Sequence, residues 1–411
     1  AVRADDNSAF GESFDLVYYP KVSASWVVSE ESFWGLDFFD SFRLRAAYGQ
    51  SGQQPDAFDA LRTYVTRSAP NGSATLRPES PGNANLGPER GEEIEVGFDA
   101  SLFGDRLSID LTYYDQRTKD AIVARNVAPS SGFTAEQFVN LGEISNRGIE
   151  LGVAARLVET DLIDWDTNLN LSTNRNRIED LGVDGFIELG WTTRHAEGYP
   201  VGSLFAPDVI EATLDPDGVV RNFRCDNGQG QPVECNEDAW IYQGHPDPSV
   251  EGSFATAVTI ADRFRIDALV QAKLGQTKYD LQAWWRYSAY QQTHLNYFPE
   301  QYDPTDVAEA QYGNTGEFDL WVNDASFIRF RELSATYRVP EAWLRWIGAN
   351  QGSISLAARN LGMIWTAWPE WPNHDPEVVD PSATFSGNRE PQEDATVPPL
   401  MSLALTVRLT L

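Results

Sequence analysis

Two alternating runs joined by a short turn lie between Glu92 and Gln116, and the rest of the chain repeats this unit. The apolar side chains of the first run are Ile94, Val96, Phe98, Ala100 and Leu102, and those of the second are Leu107, Ile109, Leu111 and Tyr113. Polar residues alternate with them, a period of two that predicts a strand, and Phe103 to Arg106 are predicted to turn one strand into the next. Each run has about ten residues, enough to cross a bilayer as a tilted strand.

The same alternation recurs along the chain and predicts about twelve or thirteen strands. Beyond the hairpin, the predicted strands occupy residues 14–28, 41–50, 149–157, 165–172, both sides of a turn at 261–264, about 325–338, 352–360 and 402–411. We predict long irregular connections at 49–90, 117–147 and 175–249, and a further strand within the aromatic segment 283–298. Short turns alternating with long connections are typical of a membrane barrel.

Composition restricts the class of membrane protein. The mean hydropathy is −0.39, and no apolar run approaches the ~18 residues of a transmembrane helix, which excludes a helical membrane protein. Barrel strands alternate, so a low mean hydropathy is compatible with a barrel. The final strand presents five apolar residues on one face, which lipid would cover. The fold predicted from these patterns is an all-β antiparallel transmembrane barrel with long extracellular loops.

Charge and aromatic content bear on partners. The net charge of −30 argues against nucleic acid and favours a solvated surface or a polar lumen. Aromatic residues make up 12% of the chain, as expected for interfacial belts, although a sugar-binding or sandwich protein could share that content. The only two cysteines, Cys225 and Cys235, bracket a polar loop, which suits a local disulfide, while two free thiols stay possible.

Eight segments, in the same order, resemble the SusC/RagA type of TonB-linked outer-membrane receptors. They are RADDNSAFG at the start, YYPKVSASWVVSEESF (18–33), LRAAYGQSGQQ (44–54), NANLGPERGEEIEVGFDASLFGDRLSIDLTYYDQRTKDAI (83–122), SGFTAEQFVNLGEISNRGIELGV (131–153), DWDTNLNLSTNRNRIEDL (164–181), SFIRFRELSATYRVPEAWL (326–344) and ISLAARNLGMIW (354–365). The chain resembles the C-terminal portion of the family's barrel, which has 22 strands when complete. The resemblance implies import of a bulky nutrient, an oligosaccharide or a peptide, across the bacterial outer membrane.

Further expectations follow from this resemblance. Residues 1–411 are expected to be barrel alone, with the plug domain and the first barrel strands outside this chain. The expected partners are outer-membrane lipid, the TonB complex through a region missing here, and a SusD-like surface lipoprotein, with no cofactor. The chain departs from the family in ending at Leu411 rather than at an aromatic residue, and in having DPDG and CDNGQG where relatives carry an Asp-rich loop. An ordinary turn is therefore favoured over a calcium site at Asp215, Asp217 and Asp226.

No enzymatic or metal site is predicted, because His195, His245, His294 and His374 are scattered among predicted loops. Candidate ligand contacts are aromatic loop residues, whose flat rings stack on sugars or peptide side chains. These are Trp191, Tyr199, Trp240, Tyr242, Tyr290, His294, Tyr297, Trp365, Trp368 and Trp371. Loop packing or an interfacial girdle is the competing explanation for each of them. Two alternatives to import also stand: an outer-membrane barrel without active transport, and a secreted β-sandwich that binds carbohydrate.

Overall fold

The computed structural model describes residues 1–7, 9, 16–70, 72–125, 127–133, 135–183, 185–190, 192–236, 239–313, 321–368, 375–378, 392–393 and 397–410. In chain order the strands are β1 (Val2–Asp5), β2 (Val17–Val27), β3 (Phe39–Gln53), β4 (Tyr64–Ser68), β5 (Ala74–Pro78), β6 (Glu89–Leu102), β7 (Leu107–Arg125), β8 (Gln137–Glu159), β9 (Ile163–Thr173), β10 (Arg175–Asp180), β11 (Phe186–Glu188), β12 (Thr193–Ala196), β13 (Ser203–Ala206), β14 (Val209–Leu214), β15 (Val220–Asp226), β16 (Pro232–Val233), β17 (Ile241–Gly244), β18 (Val250–Ile260), β19 (Phe264–Leu274), β20 (Thr277–Asp280), β21 (Val322–Asp324), β22 (Phe327–Arg338), β23 (Gln351–Thr366), β24 (Gln392–Glu393) and β25 (Ser402–Thr410).

Helical elements are short. They are α1 (Leu281–Ala283), a π-helical turn (Trp284–Ala289), α2 (His294–Tyr297), α3 (Pro304–Tyr312), α4 (Glu341–Leu344) and 3₁₀ turns at Val28–Glu30, Pro129–Ser131, Pro299–Gln301 and Arg345–Ile347. No helix in the described part of the chain is long and apolar enough to cross a membrane.

One antiparallel sheet of 13 strands dominates the described residues. Its order is β1-β2-β3-β6-β7-β8-β9-β18-β19-β22-β23-β25, with β10 continuing beside β8. Strands that are neighbours in this sheet follow one another along the chain, as in a meander, and the strand number agrees with the prediction from the sequence. This is the architecture of an antiparallel barrel wall.

The predicted hairpin of β6 and β7 is confirmed, with its turn at residues 103–106. Phe98 lies opposite Leu111, and Leu111 lies opposite Leu151 on β8, so apolar side chains of three strands share one face. We call this the apolar face; Leu169 belongs to it on β9. The opposite, polar face carries Asp99, Asp110, Glu150 and Asn170.

The apolar face is exposed rather than packed. On β6, Val96 is 52% exposed, and on the final strand Leu405 is 70% exposed. In a β-sandwich these rows would meet a second sheet and be buried. The sandwich alternative is therefore wrong for the described residues, and the apolar face has the character of a surface that lipid covers.

The two ends of the sheet differ. At one, the turn end, connections are short: residues 103–106, 160–162 and 261–263, with somewhat longer links at 28–38 and 339–350. At the other, the loop end, four connections between neighbouring strands of the sheet span tens of residues, at 54–88, 174–249, 275–326 and 367–401, while 126–136 is shorter. This asymmetry was predicted from the sequence, and it places the elaborate parts of the molecule on one side of the wall.

Several predicted irregular segments are in fact ordered strands. The stretch 117–147 belongs largely to β7 and β8, which continue beyond the apolar rows with polar pairs such as Arg117 to Glu143 at 3.1 Å. Cross-strand pairing continues there although the hydrophobic alternation, which sequence reasoning relied on, has ended. Residues 49–90 likewise contain the hairpin β4–β5, and 175–249 contain β10 to β17.

The prediction of a strand within 283–298 is wrong, because this segment is helical. Asp280 caps its start by accepting a hydrogen bond from the Ala283 amide at 2.8 Å, which satisfies a free helix donor. The dense aromatic content, which suggested β-structure, instead provides contacts between successive turns. At the first strand, Val28 starts a 3₁₀ turn and is buried instead of continuing the outward row of β2.

Candidate functional site at the loop end

The polar face is lined by paired charges. Arg43 Nη2 lies 2.7 Å from Asp99, and Arg45 Nη2 lies 2.7 Å from Asp110 and donates to the Thr112 hydroxyl at the same distance. Both arginines alternate with the apolar residues of β3 and lie beside the acidic residues of β6 and β7. These pairs give the polar face its charged character.

Above the polar face, the long connections pack around their own cores. The largest core joins β14 and β15 to helix α3 through Val209, Val220 and Val307. Cys225 is fully buried in it and is disulfide-bonded to Cys235, with 5.0 Å between the two Cα atoms. The loop end is therefore built from folded subassemblies that can present side chains in fixed positions.

Two of the candidate aromatic residues meet beside the four-stranded sheet formed by β11, β12, β13 and β17: Tyr199 lies between β12 and β13, and Tyr242 lies on β17. The rings of Tyr199 and Tyr242 lie 5.0 Å apart, and both contact Phe205. Each tyrosine is still more than one third exposed. Partial burial raises the pKa of Tyr242, so its hydroxyl stays protonated at neutral pH and can donate a hydrogen bond.

Trp240 has a packing role, in agreement with the competing explanation given for it from the sequence. The Arg194 guanidinium lies 4.3 Å from the centre of the Trp240 ring and 4.3 Å from that of Phe186. A cation held between two aromatic faces is a stable arrangement worth ~1 kcal/mol or more per ring when desolvated. One face of Trp240 is therefore occupied by the protein itself.

Three further candidates lie on the helical segment between β20 and β21. Tyr290 is 61% exposed and stacks on Trp285 at 5.3 Å, and Tyr297 is 68% exposed. His294 Nδ1 is 3.0 Å from the Tyr302 hydroxyl, which fixes the imidazole orientation. This segment presents exposed rings on a locally rigid frame, an arrangement suited to stacking against a flat ligand.

The remaining candidates have different positions. Trp365 lies on β23 opposite Ile328 of the apolar face, where an interfacial girdle residue would be found. Trp368 is 3% exposed, so its ring packs inside the protein. Trp191 and Trp371 lie outside the described residues. The candidates therefore do not form one cluster. The rings of Tyr199 and Tyr242 are in contact, and Tyr290, His294 and Tyr297 form a second group on the helical segment.

The four residues Asp375–Val378, which we call the docked segment, are held against the wall by cations. Arg329 is 2% exposed on β22; its Nη2 donates to both carboxylate oxygens of Asp375, and its Nη1 lies 3.4 Å from Glu377. Arg331 also pairs with Glu377. The buried Lys278 ammonium donates to the carbonyl oxygens of Pro376 and Val378. Sequence reasoning missed this site, although the alternation of Arg329 and Arg331 with apolar residues could have marked both as inward-facing.

The acidic turns are explained by their hydrogen bonds. At the DPDG sequence, the Gly218 amide donates to the Asp215 carbonyl oxygen at 2.9 Å. In the cysteine loop, one carboxylate oxygen of Asp226 accepts from the amides of Gly228, Gln229 and Gly230. These arrangements are turns of the kind predicted, with the carboxylate oriented by backbone amides.

Asp280 is almost fully buried, and desolvation raises its pKa to about 6. Because the folded state holds the proton more tightly than the unfolded chain, this contribution to stability is complete below about pH 4 and disappears as the pH rises through about 6. The shift corresponds to about 3 kcal/mol at most.

We expect amide exchange of residues 277–290, corrected for intrinsic rates, to lose protection between pH 4 and pH 7, because the buried carboxylate becomes charged. Asp280→Asn keeps an acceptor for the Ala283 amide and should abolish this pH dependence. Hydrogen exchange read by mass spectrometry measures both, with strand β18 as an internal reference. An identical pH profile in the variant would assign the effect to another group.

Comparison with known proteins agrees with this architecture. The family model described as TonB dependent receptor-like, beta-barrel, matches residues 1–361. TonB-dependent receptor P26 of Formosa agariphila is 27% identical over 94% of this chain and 41% of its own length. TonB-dependent receptor SusC of Bacteroides thetaiotaomicron is 22% identical over 83% of this chain and 36% of its own length.

The fold is shared with a solved structure, that of the RagAB peptide importer in its closed-closed state. The TM-score is 0.79 at 18% identity, and the alignment covers 99% of this chain and 45% of that chain. The chain thus spans about two fifths of the length of the curated relatives named above.

Proposed function

This chain belongs to the TonB-dependent receptor family of outer-membrane β-barrels, and on that basis we propose that it forms the C-terminal part of the wall of an importer for a bulky nutrient. The observation that carries the proposal is the family match over residues 1–361 together with a charged polar face beneath packed loops. The family is one of receptors and transporters rather than of enzymes. We further propose that residues 1–411 contribute barrel alone, and that a plug domain and the first strands lie elsewhere in the full-length protein.

The nutrient class is proposed to be an oligosaccharide or a peptide. The shared fold with the RagAB peptide importer supports the peptide class, and exposed rings at the loop end provide stacking surfaces that suit either ligand. Among the candidates, His294, Tyr290 and Tyr297 are proposed as contacts. A SusD-like surface lipoprotein is proposed as a partner at the loop end, and TonB as a partner of the rest of the protein.

Uptake measurements on cells that carry the full-length protein test this function. Fluorescent oligosaccharides and peptides of graded length are supplied with and without a protonophore that collapses the proton-motive force. Import should require energy and should be lost when TonB is deleted. Accumulation that is insensitive to both treatments would instead establish the alternative, a passive barrel. Absence of the protein from outer-membrane fractions would refute the importer and the passive barrel alike.

A further inference from the structure

A cavity of about 510 Å³ lies where β9 gives way to β10 at the loop end. Its lining includes Arg147, Arg175, Arg177, Tyr199, Tyr242 and His245. The backbone of residues 198–199 pairs with Ile178 of β10, which fixes Tyr199 beside the three arginines. The cavity is therefore bounded by the barrel wall on one side and by the tyrosine cluster on the other.

The charge of this cavity is opposite to that of the chain. Acidic residues outnumber basic ones by 61 to 31 overall, yet no aspartate or glutamate lines the cavity. Three further cavities, in contrast, are each lined by at least two carboxylates, as with Glu93 and Glu95 beside β3. An anion is thus favoured here and disfavoured at the others.

Ion pairs with carboxylates neutralise only part of the positive charge of Arg147, Arg175 and Arg177. Arg147 is paired with Asp115 at 3.0 Å, and Arg177 lies 3.4 Å from Glu179. Arg175 is exposed and has no ion pair with any residue that the structure describes. Gly198, which lies beside the Arg177 guanidinium, has a φ of 88°, in the left-handed region that favours glycine.

The cavity lies at the height of lipid headgroups. Arg147 pairs across the sheet with Arg175, and Arg147 lies two residues along β8 from Ile149, which is 46% exposed on the apolar face. Two residues of strand span about 7 Å. A headgroup layer is about 5 to 7 Å thick on each side of the hydrocarbon core. Alternation also places Arg147 and Arg175 on the lipid side of the wall, away from the polar face.

We propose that this cavity binds the phosphate groups of a phosphorylated glycolipid in the outer leaflet of the membrane. Guanidinium groups bind phosphate through paired, charge-assisted hydrogen bonds, and Arg175 has no competing carboxylate. The rings of Tyr199 and Tyr242 line the same cavity, and tyrosine rings suit the membrane interface. A nutrient that crosses along the polar face would not meet Arg147 and Arg175, which favours lipid over cargo.

Native mass spectrometry of the full-length protein in detergent tests the proposal. The probes are a lipid A that carries two phosphates and the same lipid after removal of its phosphates. The wild type should bind the phosphorylated form roughly tenfold or more tightly, and Arg147→Gln with Arg175→Gln should reduce that binding by a similar factor, as expected for lost charge-assisted bonds. Arg408→Gln, which removes an arginine from the polar face of β25, is the matched control.

Equal binding of both lipids, or unchanged binding by the double variant, would overturn the proposal. If the double variant fails to assemble, Arg175→Gln alone replaces it, because this arginine has no ion pair to lose. Competition by an acidic oligosaccharide added from the loop side would show that the cavity belongs to the nutrient path, and the lipid assignment would then be wrong. The result is independent of whether nutrient import needs energy.

Discussion

Replacing Arg329 with methionine is expected to detach the docked segment from the wall. The substitution keeps the apolar stem but leaves Asp375 and part of Glu377 without their cation in a buried setting. Removal of one partner from a buried ion pair costs about 3 to 5 kcal/mol. The equilibrium between the docked and the detached segment should therefore shift toward the detached state by about a hundredfold or more, since each 1.4 kcal/mol is a factor of about ten.

Maleimide labelling of Val378→Cys reads this opening. Val378 is 6% exposed, and the two cysteines of residues 1–411 are disulfide-bonded, so neither competes with the introduced thiol. Labelling should be slow with Arg329 present and about a hundredfold faster in Arg329→Met. Arg338→Met, on the same strand at the turn end, should leave the rate unchanged. Equal labelling rates in all three backgrounds would mean that the arginine pairs do not hold the segment.

Two neighbouring substitutions on β9 should have opposite consequences for assembly. Leu169 lies on the apolar face opposite Val153 and Phe254, whereas the next residue, Asn170, lies on the polar face. Arginine at the middle of a lipid-facing row costs about 2 to 4 kcal/mol, while the same residue on a hydrated lumen side costs little. Leu169→Arg should thus impair insertion, and Asn170→Arg should insert normally.

The yield of the heat-modifiable folded form of the full-length protein in outer-membrane fractions measures this effect. The two variants are matched in position and in the residue introduced, so they differ only in the face that receives the charge. Leu169→Arg should yield several-fold less folded protein than Asn170→Arg. Equal yields would contradict the assignment of the two faces.

The strands of the barrel wall could be predicted from the sequence because the pattern that specifies them, alternation of apolar and polar residues, is local. Alternation at Ile94, Val96 and Phe98 needs only that one face meet an apolar medium and the other a polar one, so the period of two survives in the sequence. The short turn at residues 103–106 then fixes the register of the hairpin. Strand positions, the polar character of Arg43 and Arg45, and the turn and loop ends were all predictable in this way.

The loop end resisted prediction because its determinants are non-local. Strands β7 and β8 continue past the apolar rows through ion pairs such as Arg117 to Glu143, which leave no hydrophobic signal. The segment 283–298 is helical because Asp280 caps it and a core formed with distant residues accepts its aromatic rings. Pairing of Arg329 with Asp375 joins residues 46 apart in the chain, a contact that no local pattern indicates.

The central claim is that the apolar face meets lipid and the polar face meets water. Spin labels at four consecutive positions of β9, from Asn168 to Leu171, in the full-length protein in bilayers test it most directly. Accessibility to oxygen should be high at 169 and 171 and low at 168 and 170, and accessibility to a water-soluble nickel reagent should show the reverse pattern. Uniform accessibility along the four positions, or the opposite phase, would contradict the account.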